Sequence, residues 1–295
     1  MKKHFADLKQ GAFLVEKKGV FPIDNKLKAA VYGLAVADAL GVPVEFKERG
    51  TFHVTDMQGY GTHHQPVGTW SDDTSMTIAT CDSIIKECCI DPDDMRAKFN
   101  AWIEWGAYTA GGNVFDYGGT TAQALRTGKG VDHAHSNGNG SLMRILPLAF
   151  VPDITDEQIR EVSAITHAHE ISKEACVIYV NIAKKLLAGE KLLDILHGLD
   201  VDAPFDWLPS IAERTEDEIR SSGYVVDTLE AALWAIATTD SYAAAVLKAV
   251  NLGSDTDTVG AVTGGLAGII YGYDAIPDKW IKALRGKDVI DSCLS

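Results

Sequence analysis

Apolar residues in this chain return every three to four positions over 27–40, 75–89, 95–108, 120–125, 156–166, 172–187, 226–237, 243–250 and 258–271, while strictly alternating runs are scarce. That period lines one face of a helix and cannot line one face of a strand, so the chain is constrained to an all-α fold. The breaks between the segments are dense in Gly, Asp, Asn and His. Such loops carry the polar chemistry, and the helices supply the scaffold.

The chain has 295 residues and 46% hydrophobic content, enough for a sizeable core. No repeat, low-complexity tract or linker divides it, so 24–295 reads as a single domain preceded by an extension over 1–23. The start, Met1-Lys2-Lys3-His4-Phe5-Ala6-Asp7, holds no continuous apolar run, and the most apolar stretch, 261–273, is shorter than the ~20 residues of a spanning helix. The expectation is a cytoplasmic protein with no membrane partner. Five cysteines (Cys81, Cys88, Cys89, Cys176, Cys293) without a Cys-x-x-Cys pair read as idle thiols. A formal net charge of -14 works against binding nucleic acid or anionic lipid. It also means that a site for an anionic substrate must neutralise the protein's own carboxylates, which bound cations do.

Two segments carry the chemistry. Gly68-Thr69-Trp70-Ser71-Asp72-Asp73-Thr74 runs into an apolar helix, and its adjacent carboxylates and hydroxyls offer hard oxygen ligands of the kind Mg2+, Mn2+ or Ca2+ prefer. Ordinary capping explains the same residues, because Ser and Asp favour helix starts. Asn251-Leu252-Gly253-Ser254-Asp255-Thr256-Asp257-Thr258 precedes a second apolar helix with carboxylates at i and i+2. Capping needs one acid, not a cluster at each of two helices. If the two starts face one another, they can hold two metals roughly 3.5 to 4 Å apart. Neither loop has the twelve-residue spacing of an EF-hand.

Two glycine-rich loops are weaker signals. Ser136-Asn137-Gly138-Asn139-Gly140-Ser141-Leu142-Met143-Arg144 can turn backbone N–H groups toward a phosphate, and Gly111 to Thr121 places Asp116 among glycines. The pairs His133/His135 and His167/His169 lack the partners of a zinc site; His167 fits better as a donor to phosphate or ribose. Trp70, Trp102, Trp105 and Trp234 read as packing residues, with Trp70 close enough to the acidic turn to line a pocket.

Taken in order, 33–46 (Gly33-Leu34-Ala35-Val36-Ala37-Asp38-Ala39-Leu40-Gly41-Val42-Pro43-Val44-Glu45-Phe46), Ser71-Asp72-Asp73-Thr74, Phe115-Asp116-Tyr117-Gly118, 137–144, Thr166-His167-Ala168-His169 and 253–258 resemble the ADP-ribosylglycohydrolase family over about 27–281. The resemblance implies an orthogonal multi-helix fold around a central two-metal site holding Mg2+ or Mn2+. It implies Ser71, Asp72, Asp73, Asp255, Asp257 and Thr258 as metal ligands, and Glu45, Asp116 and Asp257 as catalytic carboxylates. Asp116, Asn139, Gly140, Ser141, Met143 and His167 match the substrate-binding positions. Ala37, Ser71 and Ser254 stand where the family commonly has glycine, threonine and glycine; all three are small.

The implied reaction is hydrolysis at the anomeric carbon of the distal ribose, with divalent cations offsetting the charge of diphosphate and carboxylates. A positioned Asp116 or Glu45 acting as acid or base contributes about 100- to 10,000-fold. Expected partners are an ADP-ribosylated protein or a small ADP-ribose conjugate. An arginine acceptor is favoured, because a carboxylate pairs bidentately with guanidinium. The rival reading, a noncatalytic ADP-ribose binder like the relative crystallin J1, is disfavoured because all four metal-site aspartates are retained.

Overall fold

The computed structural model describes residues 25–294, so the expected extension over 1–23 lies outside the described residues. Twelve α-helices appear among them: α1 Asn25–Gly41, α2 Asp72–Glu87, α3 Pro92–Trp105, α4 Gly119–Thr127, α5 Asp156–Ser163, α6 Glu170–Leu187, α7 Leu192–His197, α8 Val225–Ala237, α9 Tyr242–Val250, α10 Thr256–Tyr271, α11 Asp278–Ala283 and α12 Lys287–Cys293. No sheet forms among the described residues; extended pairing is limited to isolated bridges such as Gly138 with Tyr224. The all-α expectation holds, and every segment with helical periodicity became a helix. The short helices α7, α11 and α12 escaped the sequence reading because one or two turns do not establish a period.

The centre of the molecule is the pair α1 and α10. Both are apolar on all sides and buried nearly throughout, the mark of a core helix rather than a surface one. They run antiparallel at very close range, as the contacts an added Cβ would make reveal: at Gly33 it would sit 2.4 Å from the carbonyl oxygen of Gly264, and at Gly41 2.4 Å from the backbone of Asp257. Ala37 lies between them against Gly260 and Gly264, so the small residue at this position is a packing requirement. Gly33→Ala is expected to force the two backbones apart and lower stability by about 2–3 kcal/mol, read as a melting temperature lower by roughly 5–10 °C.

The span Asn25–Val44 is long and apolar enough to cross a membrane by length and composition, which the sequence reading assigned to no segment; 94% of its most apolar window is buried inside the fold. Its hydrophobicity is used up in packing against α10 and its neighbours. Trp70 packs as expected, at 1% exposure, and does not line the pocket beside the acidic turn; a Cβ on Gly286 would meet its ring at 2.5 Å, so it anchors the start of α12. Trp105 departs from the packing expectation, being 80% exposed at the end of α3.

The antiparallel pairing has one consequence for function. It brings the end of α1, with Asp38 and then Glu45, to the beginning of α10, with Asp255 and Asp257. Thr256 Oγ1 locks the junction by donating to the Gly41 carbonyl at 2.8 Å. The loop after α1 and the loop before α10 are also paired, through Phe46 N to Ser254 O at 2.7 Å and Ser254 N to Lys47 O at 2.9 Å.

Candidate metal centre and cleft

Ser71 begins α2 as a cap, its hydroxyl accepting from Asp73 N at 3.3 Å while donating to Asp73 Oδ2 at 2.9 Å. The capping hydroxyl thus also positions the Asp73 carboxylate. Asp255 occupies the N-cap of α10 but makes no capping bond. Its Oδ2 accepts from Asn139 Nδ2 at 2.9 Å instead. Thr258 Oγ1 in the first turn of α10 donates to Asp73 Oδ2 at 3.3 Å, so the two acidic helix starts face each other, a condition the sequence left open.

Three carboxylate oxygens at this junction are buried without any hydrogen-bond partner: Asp73 Oδ1, Asp255 Oδ1 and Asp257 Oδ2. Buried anionic oxygens are almost always satisfied, and a hard divalent cation is the partner that this all-oxygen donor set fits. Asp38, Asp73 and Asp257 place carboxylate oxygens within 4.8 Å of one another, and in a second group the carboxylates of Glu45, Asp116 and Asp257 and a ring nitrogen of His63 lie equally close. Asp257 belongs to both groups.

Packing so many acids together shifts their protonation. Burial, then repulsion among neighbouring acids, pushes the carboxyls of Asp72, Asp73 and Asp257 well above the usual carboxylate range. Burial raises Asp255 as well. Glu45 is raised to about 11 by burial and by the charges of Asp116 and Asp255. Asp38 reaches about 7 through burial, restrained by hydrogen bonds from Thr74 and Ser71. A bound cation reverses this balance, because opposite charge favours the ionised form.

Asp38 and His63 are the two residues the sequence reading passed over. Asp38 is fully buried and accepts from Ser71 N at 2.9 Å, Thr74 N at 3.1 Å and Thr74 Oγ1 at 2.6 Å, so α1 holds the start of α2 in place. A single carboxylate inside an apolar helix was the signal available. His63 ends a short 3-10 turn, Gly61–His63, with no such signal; its Nε2 contacts Glu45 Oε2 and lies 3.6 Å from Asp116 Oδ1. Its ring lies 5.2 Å from that of Phe115, tilted by 41°.

Beside the carboxylates opens a cleft of about 320 Å³ lined by Glu45, Asp72, Asp116, Asn139, Met143 and His167, together with glycines of both sequence-predicted loops. A larger groove of about 680 Å³ between α7 and the end of α10 holds no such cluster and is not the site. The cleft loop is fastened to the segment before α8 by Asn139 N to Gly223 O at 3.1 Å and Val225 N to Asn137 O at 3.0 Å. Two 3-10 turns, Leu142–Arg144 and Leu146–Phe150, follow this loop. Ser141 alone of the expected substrate contacts turns inward, its hydroxyl meeting Ser163 Oγ at 3.0 Å and Cys176 Sγ at 3.5 Å. His169 is a cap, its Nδ1 accepting from Ile171 N at 3.3 Å.

Backbone strain collects around the cleft. Phe46, Asp116 and Ser254 all have left-handed φ, between 62° and 64°, a conformation that costs a non-glycine residue on the order of 1 kcal/mol or more. Asp116 and Phe46 are thereby aimed at the cleft. Ser254 explains the glycine that the resemblance leads one to expect at its position.

The sequence profile of the ADP-ribosylglycohydrolase family matches residues 22–295. The chain is 36% identical over 283 residues to the ADP-ribosylarginine hydrolase Tri1 of Serratia proteamaculans, covering 91% of this chain and 77% of that protein. It is 29% identical over 290 residues to the ADP-ribosyl-[dinitrogen reductase] glycohydrolase of Rhodospirillum rubrum, covering 91% and 92%. A solved structure, an ADP-ribosylglycohydrolase-related protein complex, superposes with a TM-score of 0.77 at 33% identity over 92% of this chain and 96% of that one. With the profile matched almost from end to end and the fold shared, this chain belongs to the ADP-ribosylglycohydrolase family.

Proposed function

We propose that the protein hydrolyses the glycosidic bond between ADP-ribose and an acceptor, with ADP-ribosyl-arginine as the acceptor class, using two divalent cations, Mg2+ or Mn2+. The observation that carries this reading is the set of partnerless buried oxygens on Asp73, Asp255 and Asp257 at the edge of a cleft. Ser71, Asp72, Asp73, Asp255, Asp257 and Thr258 are the proposed ligands. Asp257, the residue common to both donor groups, would contribute to holding either ion. When bound, the cations supply positive charge that offsets the carboxylates and the substrate diphosphate, and Lewis acidity at the reacting ribose. We take residues 24–295 to act as one domain, in keeping with the one hydrophobic core cluster that runs from Leu27 to Leu294.

The chain's own groups then divide the work. Asp116, 13% exposed at the mouth, pairs with the guanidinium of the acceptor and holds it toward Glu45. Glu45 and Asp116 are the carboxylates placed to move a proton between the attacking water and the departing nitrogen, and Asp257 orients the reacting centre. Asn139, Gly140 and Met143 form the wall that receives the diphosphate and its ribose, with His167 as donor. Ser141 serves by shape, its hydroxyl holding the loop to the core.

Release of free ADP-ribose from an ADP-ribosyl-arginine substrate tests the reading: release should require added Mg2+ or Mn2+ and stop on chelation. Metal-independent release, or tight ADP-ribose binding without release, would sink it. Gly140→Ala supplies a second check. Its Cβ would lie 2.8 Å from His167 Cε1 and 3.1 Å from Thr121 Oγ1, so the ring must move. The expected result is ADP-ribose affinity lowered about tenfold by calorimetry, with cation-induced thermal stabilisation retained.

A further inference from the structure

Behind the cleft loop, Arg144 is buried at 0% exposure, makes no ion pair among the described residues, and leaves Nε and Nη1 without hydrogen-bond partners. A guanidinium without a counter-ion in a protein interior is unfavourable, and such a group calls for an explanation. Its contacts are few. Nη2 donates to Thr166 Oγ1 at 2.8 Å and to Val162 O at 3.3 Å, and the guanidinium lies 4.6 Å from the centre of the Phe99 ring.

The Thr166 hydroxyl is in turn 2.9 Å from His167 Nδ1. A guanidinium can only donate, so Thr166 Oγ1 accepts from Arg144 and keeps its own proton for another partner. The Thr166 side chain is fully buried, and His167 Nδ1 is the acceptor within reach. With Nδ1 accepting, the ring proton sits on Nε2. The opposite tautomer would make Thr166 Oγ1 accept twice and strand its proton in a dry site. The edge of the ring carrying Nε2 faces the cleft: a Cβ on Gly138 would lie 3.5 Å from Nε2, and one on Gly140 would lie 2.8 Å from Cε1. Burial and the Arg144 charge hold the imidazole pKa at about 3, so the ring is neutral wherever the protein is folded and working.

We propose that Arg144 and Thr166 are positioning residues that hold His167 as a neutral Nε2–H donor aimed into the cleft, where it binds an anionic oxygen of the ADP-ribose diphosphate. The identity of the ligand rests on the proposed function above; the tautomer does not. The relay runs from a cation through a hydroxyl to a ring, and each bond in it strengthens the next, so the buried charge of Arg144 is felt at Nε2. A fixed neutral donor suits an oxygen that must be released after turnover.

Nitrogen-15 spectra of the histidines in the ligand-free protein, joined to ADP-ribose calorimetry with Mg2+ present, test this. The expected result is His167 wholly as the Nε2–H form in the parent protein. Thr166→Val should yield mixed tautomers and affinity about tenfold weaker, and Thr166→Ser should restore both. An Nδ1–H ring in the parent protein, or Thr166→Val with tautomer and affinity unchanged, overturns the proposal. The parent spectrum decides the matter even if Thr166→Val does not fold. If the parent protein fails to bind ADP-ribose while its ring keeps a Thr166-dependent Nε2–H form, the relay stands and the ADP-ribose reading falls.

Discussion

Asp257→Asn is expected to lower turnover of ADP-ribosyl-arginine by at least about 1,000-fold while raising the melting temperature of the chelated protein by a few degrees. Asp257 is fully buried, contributes to both donor groups, and carries one of the partnerless oxygens. Its other oxygen accepts from the Thr258 backbone at 2.9 Å, a bond that an asparagine carbonyl can keep. The substitution therefore leaves the start of α10 folded and removes a carboxyl whose ionisation is opposed by burial first and then by Glu45, Asp116, Asp255 and Asp73. Without cations that removal is a relief; with them it is a lost ligand. Kinetics alongside thermal melts, each with chelator and with Mn2+, read both halves. A variant that still gains stability from Mn2+ as the parent does would show that Asp257 is not a ligand.

In the presence of a chelator, the protein should become less stable as pH rises from about 5.5 to 8, the reverse of ordinary acid denaturation. The acids at the junction have folded-state pKa values raised above the unfolded 3.8 to 4.5. Over that interval the folded state binds more protons than the unfolded one, so stability falls with pH. The contribution of Asp38 is fully present below 3.8 and is lost as pH rises through about 7, which amounts to on the order of 4 kcal/mol. Glu45 continues the trend toward about 11. His167 acts in the opposite sense: with its pKa lowered from 6.5 to about 3, its contribution is present above 6.5 and fades as pH falls below that. The chelated protein is thus most stable in mild acid.

Added Mg2+ or Mn2+ should oppose the upper limb of this profile, because ionised carboxylates at pH 8 bind cations that protonated ones at pH 5.5 do not. At one hundred times the dissociation constant the stabilisation is about 2.7 kcal/mol. Urea titrations at the two pH values, with chelator and with metal, measure it directly. Chelated protein that gains stability from pH 5.5 to 8 would show that the junction is not the acid cluster described above.

What could be read from the residues alone was whatever depends on near neighbours in the chain. Period 3.6 gave away the helices from α1 to α10 except the short α7, and Ser71-Asp72-Asp73 and Asp255-Thr256-Asp257 stood out as acidic beyond the needs of capping. Asp116, Asn139, Gly140 and His167 were legible as loop residues and through the resemblance, and the structure brings them to one cleft.

Convergence was a different matter, because it is set by contacts between residues some two hundred positions apart. Asp38 looked like one polar residue in a core helix until the packing of α1 on α10 set it under the start of α2. His63 had no local mark at all, and its place beside Glu45 and Asp116 follows from how its loop folds back. Ser141 sits one residue from Gly140, yet a tight 3-10 turn sends its hydroxyl to the core while its neighbours face the cleft. Arg144, likewise, was one more residue of a glycine-rich loop until burial made its charge the unexplained feature of the interior. Local sequence determined which elements form and which types of side chain they carry; only the close antiparallel packing of two glycine-lined helices decided which of those side chains share a site, since burial and Coulomb interaction depend on distance in space and not along the chain.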